Sequence, residues 1–282
     1  MTASSLLDQA RLRSPRASDA ACVDLVAAEL IADLGLTSPP VNVEMLASLL
    51  DVRRVVQDHV LDTAGCLICG ATGAEIRVRS TDPLPRQRFT IGHECAHIFF
   101  PGYALQPRFR CTPRPGQPSS NLEGLCDRGA SRLLMPDTLF APESQAVDFG
   151  LASIGDLSDL FEVSLAATAI RFVQLRAEPC AFLSLEVRQK PVEYRSSAPP
   201  QLRLQWSATS GRWPHLPRHK SVEDGDVFDR AHQGEIVYEP RTTIRSLTRS
   251  EMQVEAHCQL APYFDGSQTV ERVVALLRQI GH

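Results

Sequence analysis

The sequence predicts an α+β protein of two domains, on three observations. A length of 282 residues exceeds one typical domain, and 43% hydrophobic with 22% charged residues is an ordinary globular composition. Through the first two thirds of the chain, apolar residues at helical spacing alternate with short β-branched runs. From about residue 188 the texture changes, and Pro191, Pro199, Pro200, Pro214 and Pro217 punctuate a stretch of mixed charge. The expected organisation is a first domain over 1–150, a helix-turn-helix-like segment over 151–180 and a smaller α+β domain over 181–282.

Residues 19–35 (DAACVDLVAAELIADLG) place Ala, Val, Leu and Ile at helical spacing and stop at Gly35; NVEMLASLL reads as a short second helix. VRRVVQ, AGCLICG and AEIRVR are short and β-branched or alternating, the texture of a small sheet. QRFTIGHECAHIFF returns to helical spacing and stops at Pro101-Gly102, after which 103–120 reads as a Pro-, Arg- and Ser-rich loop. NLEGLCDRGASRLLM sets Leu122, Leu125, Gly129 and Leu133 on one helical stripe that Pro136 ends. IGDLSDLF and SLAATAIRFVQLR are two short helices, followed by the strands AFLSLEV, QLRLQW and EIVYEP and a terminal amphipathic helix over GSQTVERVVALLRQIG.

A formal net charge of -4 excludes a protein coated in positive charge to hold nucleic acid, although it leaves room for a local patch. Arg11, Arg13 and Arg16 interrupt the N-terminus, and no apolar stretch approaches the roughly 18 to 20 residues that span a bilayer. A cytoplasmic protein with no membrane partner is expected. Eight cysteines in a chain of this size are expected as free thiols, mostly buried, rather than as a disulfide scaffold.

The chemistry concentrates in His93-Glu94-Cys95-Ala96-His97, an HExxH pattern. Residues four apart lie about 40° apart around a helix, so both imidazoles face one side and can share a metal. Glu94 lies one residue around, placed to take a proton from a water that Zn²⁺ has acidified to a pKa of about 7. Ile91, Ala96, Ile98 and Phe99 mark a buried helix, and two histidines with a glutamate buried without partners would cost several kcal/mol. Catalytic zinc usually takes three protein ligands and keeps an open position. Glu123 and Asp127, four apart on the next helix, share a face, and either carboxylate completes the site; a solvated acidic face explains the same pair. Gly129 and Ala130 are small enough to let that helix pack closely on the first.

RQRFTIGHECAHIFF followed by EGLCDRGASRLLMP resembles the ImmA/IrrE family of bacterial metallopeptidases, whose paired motifs look like RFTxAHExxH and ExxCxxFAxxLLMP. The resemblance covers roughly residues 19–180. It implies a zincin-like metallopeptidase fold, His93 and His97 as zinc ligands, Glu94 as general base, and Glu123 as third ligand with Asp127 as fallback. Gly129 stands where the family often has Phe and Gly92 where it often has Ala. It further implies a regulatory endopeptidase that cleaves a helix-turn-helix repressor in a stress, DNA-damage or anti-phage response. Members in which a GAF-like sensor domain follows the peptidase share this layout.

Four further features carry alternatives. The helices of 154–176 look like a helix-turn-helix, but the second offers mainly Ala and Ile, with Arg171, Gln174 and Arg176 near its end; a structural or peptide-docking role fits better than base reading. Cys111, on the loop between the ligand-bearing helices, could ligate zinc's open position and hold the enzyme latent, or be a bystander. Cys126 reads as a buried position on the helix stripe, and Cys66 and Cys69 as structural. Arg212, Trp213, Arg218 and Lys220 mix an aromatic with cations, which suits single-stranded DNA as an activator; a solvated loop fits equally, and a small molecule is the other activator considered. Residues 181–282 hold 13 Lys+Arg and 12 Asp+Glu, so a basic surface there must come from clustering. Tyr103, within sequence reach, is the candidate to stabilise the oxyanion. The rival class is a non-proteolytic, zinc-containing DNA-binding regulator, which has no need of an intact Glu94.

Overall fold

The computed structural model describes residues 4–70, 73–103, 108–110, 121–193, 198–211, 213–245, 247–248, 251–265 and 268–281. Helices α1 (Leu6–Arg13), α2 (Asp19–Asp33) and α3 (Val43–Leu49) come first, followed by strands β1 (Val52–Asp58), β2 (Gly65–Gly70) and β3 (Gly73–Arg79). Helix α4 (Leu84–His97) is next, then β4 (Arg108–Arg110), α5 (Asn121–Leu134), α6 (Asp137–Ala146), α7 (Leu151–Phe161) and α8 (Leu165–Gln174). The later elements are β5 (Cys180–Arg188), β6 (Gln201–Thr209), α9 (Val227–His232), β7 (Val237–Ile244), β8 (Met252–Leu260), β9 (Tyr263–Phe264), β10 (Thr269–Val270) and β11 (Val273–Gln279). The architecture is α+β, with a helix-rich first part and a β-rich second. Among the described residues no helix is long and apolar enough to cross a membrane.

The chain divides into two compact units, one of residues 1–147 with 156–167 and the other of residues 148–155 with 168–282. In the first, the strands lie in the order β1-β3-β2-β4, with β1 parallel to β3 and the other pairs antiparallel. Residues 103–120 were expected as loop throughout. Arg108–Arg110 instead pair with Gly65–Leu67 as the edge strand β4, and a three-residue strand has too short a pattern to be read in advance. The side chains of Ser5, Ser18 and Asn42 accept from the first turns of α1, α2 and α3, satisfying amides that have no partner inside a helix. Gly35, just past α2, takes φ +61°, the left-handed conformation that favours glycine at a helix end.

Helix α4 carries the HExxH residues and is held at both ends. Buried Asp82 pairs with Arg79 and Arg86, and Gln87 donates to the carbonyls of Ser80 and Asp82. Arg88, also buried, donates to the carbonyls of Val41 (2.8 Å) and Glu162 (3.1 Å). At the other end the amide of Leu7 donates to the carbonyl of Phe99, and Gly102 turns the chain away at φ +73°.

Helix α5 packs on α4 across small residues, as its sequence implies. A Cβ added at Gly129 would stand 2.7 Å from Ala96 Cβ, closer than packed carbons approach, whereas one at Gly92 would make ordinary contact at 3.5 Å with Ala130. Two ion pairs from Arg128 and Arg132 to Asp24 fix α5 to α2. Gly129→Ala should therefore destabilise the fold by about 1–2 kcal/mol, overpacking outweighing the gain in helix propensity. Gly92→Ala should be neutral or stabilising, by up to about 1 kcal/mol. Urea denaturation of both variants tests the contrast; equal stabilities would contradict it.

In the second unit the antiparallel sheet runs β6-β5-β11-β8-β7 among the described residues. Ala181, Leu183, Leu185, Val254, Ala256, Val273, Ala275 and Leu277 point to a core that Val227, Phe228 and Ala231 of α9 complete. The opposite face carries Phe182 against Trp206, and His257 against Phe149, which in turn meets Phe172. The expected terminal helix is instead strand β11. Its run Val-Val-Ala-Leu-Leu is buried on both faces between β5 and β8, so it lacks the polar face of an amphipathic helix and fits a fully covered central strand.

Candidate metal centre

The i, i+4 spacing on α4 sets His93 and His97 side by side, ring centroids 4.9 Å apart, and both are almost wholly buried. α5 faces them with Glu123, Cys126 and Asp127, at i, i+3 and i+4, which lie on one side of a helix. Glu123 reaches both rings at the same edge: Oε2 is 3.1 Å from His93 Nε2 and Oε1 is 3.6 Å from His97 Nε2. Each ring's other nitrogen has a partner of its own. Asp127 Oδ1 lies 2.9 Å from His93 Nδ1, and Cys126 Sγ lies 3.3 Å from His97 Nδ1. The carboxylates of Glu123 and Asp127 are about two-fifths exposed and the imidazoles only a few per cent, so the cluster opens toward solvent on the α5 side.

This arrangement fits a cation. With the protons on Nδ1, where Asp127 and Cys126 sit, both Nε2 lone pairs face the Glu123 carboxylate, so that three electron-pair donors converge as a cation requires. Outer partners on the far nitrogens fix tautomer and ring orientation, as they do around bound metals. A second donor set is present, because ligand-type atoms of His93, His97 and Cys126 lie within 4.8 Å of one another. The carboxylate is the better third donor, since it addresses the same nitrogen, Nε2, of both rings, while the thiol meets His97 on its Nδ1 side. Asp127, the alternative third ligand, stands behind His93 rather than between the rings.

Glu94 is fully buried beside β2. A Cβ added at Gly65 would lie 3.7 Å from Glu94 Oε1 and would collide with Thr90 Cγ2 at 2.3 Å, so a glycine here lets the strand approach α4 closely. Burial, reinforced by the neighbouring Glu94 charge, pushes the Cys66 and Cys95 thiols up, so both flank the carboxylate as protonated, weakly polar groups. Cys66 is buried and Cys69 partly exposed, three residues apart on β2. Tyr103 is half-buried; burial, with Cys69 and Asp51 nearby, raises its hydroxyl, and it makes no described contact with the histidines.

Cys111 and Arg212 lie outside the described residues. Trp213 does not present a stacking face: it is 8% exposed and belongs to the core of the second unit, which corrects the expected aromatic patch. Arg218 and Lys220 are exposed, Arg218 donating to the carbonyl of Gln205 while the carbonyl of Lys220 accepts from Leu204, so their segment runs along β6. Trp213→Ala should thus cost the second unit about 3–5 kcal/mol by thermal or urea unfolding. Unchanged stability with lost DNA binding would restore the patch. Between α7 and α8 the chain turns at Glu162 (φ +50°) and the Ala167 amide donates to Ser164 Oγ, while Arg171 on the second helix is 2% exposed and cannot reach a base.

Residues 54–173, from β1 through α8, match a peptidase-family model described as the IrrE N-terminal-like domain. This part of the chain is similar to an IrrE N-terminal-like domain. The matched span contains both the HExxH helix and α5, and the family, together with the buried His93, His97 and Cys126 cluster, supports a peptidase-type enzyme with a metal ion. No curated protein matches the chain. Among solved structures, a Mycobacterium tuberculosis transcriptional regulator is similar at 15% identity and a TM-score of 0.56, over 97% of this chain and 80% of that one. At that identity the likeness shows a shared fold. It extends past the IrrE-like domain into the β-rich unit. The sequence motif pointed to His93, His97 and either Glu123 or Asp127; the contact of Cys126 with His97 left no trace in it but the i+3 spacing from Glu123.

Proposed function

We propose that the chain is a regulatory zinc metalloendopeptidase that cleaves a helix-turn-helix transcriptional repressor, with activity gated by its β-rich C-terminal domain. The observation that carries the reading is the convergence of His93 Nε2, His97 Nε2 and the Glu123 carboxylate, beside a buried Glu94 within an IrrE N-terminal-like domain. Two imidazoles and a carboxylate are a donor set typical of catalytic zinc. When bound, zinc supplies Lewis acidity that polarises a carbonyl and acidifies water.

The chain's own residues do the rest. Asp127 accepts the Nδ1 proton of His93 and fixes that ring, while Glu123 faces both Nε2 atoms. Glu94 Oε takes the proton of the attacking water and returns it to the amine that leaves, and its burial keeps competing solvent away. A GAF-like sensing role for the second unit, toward single-stranded DNA or a small molecule, belongs to the same reading; a stress, DNA-damage or anti-phage response is its setting.

The test is to incubate zinc-loaded protein with candidate helix-turn-helix repressors, with and without single-stranded DNA, and to read intact masses. Two fragments summing to the repressor plus one water are expected. If every repressor survives while the protein binds operator DNA, the non-proteolytic, zinc-containing regulator becomes the better account.

A further inference from the structure

We propose that Cys126 is a positioning residue for the metal centre: its sulfur holds the Nδ1 edge of His97 so that Nε2 stays turned toward Glu123. The inference rests on the reading that His93, His97 and Glu123 hold the metal. Three observations carry it. Cys126 Sγ lies 3.3 Å from His97 Nδ1, and both side chains are buried, so water does not compete for that nitrogen. Asp127 does the corresponding work for His93 from 2.9 Å, so each ring meets its own partner on α5. The spacing is complementary: histidines at i and i+4 on α4 are met by residues at i+3 and i+4 after Glu123, so one helix face supplies a ligand and both outer contacts.

The thiol suits this place because it both donates and accepts. When Nε2 offers its lone pair to a metal, the proton sits on Nδ1 and the sulfur accepts it. When Nε2 carries the proton, toward Glu123 Oε1 at 3.6 Å, the S–H donates to Nδ1 instead. The ring keeps its place in either state, and the carboxylate at Asp127 could serve only the first. This gives a buried cysteine next to the centre a role that needs neither direct ligation nor oxidation.

The experiment compares zinc affinity, by competition with a chromophoric chelator, for wild type, Cys126→Ser and Cys126→Ala. Cys126→Ser, which keeps a donor and an acceptor, should bind within a few-fold of wild type, and Cys126→Ala should bind about 10-fold more weakly, the low end for loss of an outer partner. Circular dichroism of the metal-free proteins checks that they are folded. The cobalt-loaded wild type should lack a sulfur-to-metal charge-transfer band, and this readout stands even if the alanine variant does not fold. Undiminished affinity in a folded Cys126→Ala overturns the proposal, and a charge-transfer band that disappears in Cys126→Ser overturns it in favour of direct ligation. Failure of the underlying reading looks different: His97→Ala would then bind zinc as tightly as wild type.

Discussion

Glu94→Gln is expected to leave the protein folded and zinc-loaded while lowering kcat/KM for repressor cleavage by about 10²- to 10⁴-fold, the usual contribution of a positioned general base. The carboxamide keeps the volume of the side chain in a fully buried position against Gly65 and Cys66, so the close approach of β2 to α4 survives. What disappears is the acceptor for the water's proton. Because a buried charge is removed, the metal-free variant should melt no lower than wild type. Fragment yield under single-turnover conditions, with zinc content measured on the same sample, separates chemistry from binding. Retained cleavage in the zinc-loaded variant would remove Glu94 from the mechanism.

His97→Ala should lower zinc affinity by on the order of 10²- to 10³-fold, one ligand's share of a binding free energy of about 10–16 kcal/mol. With it goes the stabilisation that ligand binding confers, about 2.7 kcal/mol where free zinc stands 100-fold above Kd. The three acidic and imidazole contacts should rank in order. Loss of His97 or Glu123, which meet at Nε2, should exceed the effect of Asp127→Asn, which acts from behind His93 and should weaken binding about 10- to 100-fold. Chelator competition reads this order directly. Asp127→Asn more damaging than Glu123→Ala would make Asp127 the ligand.

Much of this was legible in the sequence because its signals are local. A helical i, i+4 pair of histidines and an i, i+4 pair of carboxylates each declare a face, and Gly129 with Ala130 declares where two helices can approach. The contact at Ala96 shows how close that approach is. Tertiary coverage is what the chain does not write locally. The segment of β11 reads as a helix because Val-Val-Ala-Leu-Leu has no period of its own, and only the strands on either side and the layers on both faces decide it. Trp213 among Arg, His and Lys reads as a surface aromatic until the core of the second unit closes over it. Cys126 reads from the sequence as a buried position on the helix stripe, and it is buried, but nothing in its neighbours along the chain says that its sulfur will meet an imidazole 29 residues away.

The most direct test of the account is a zinc titration of metal-free protein in the presence of a cleavable repressor, following fragment formation and bound metal together. The account predicts that cleavage rises with added zinc and stops at one equivalent, and that Glu94→Gln takes up the same equivalent without cutting. Cleavage by the metal-free protein in excess chelator, or a full equivalent bound by His97→Ala with activity intact, would contradict it.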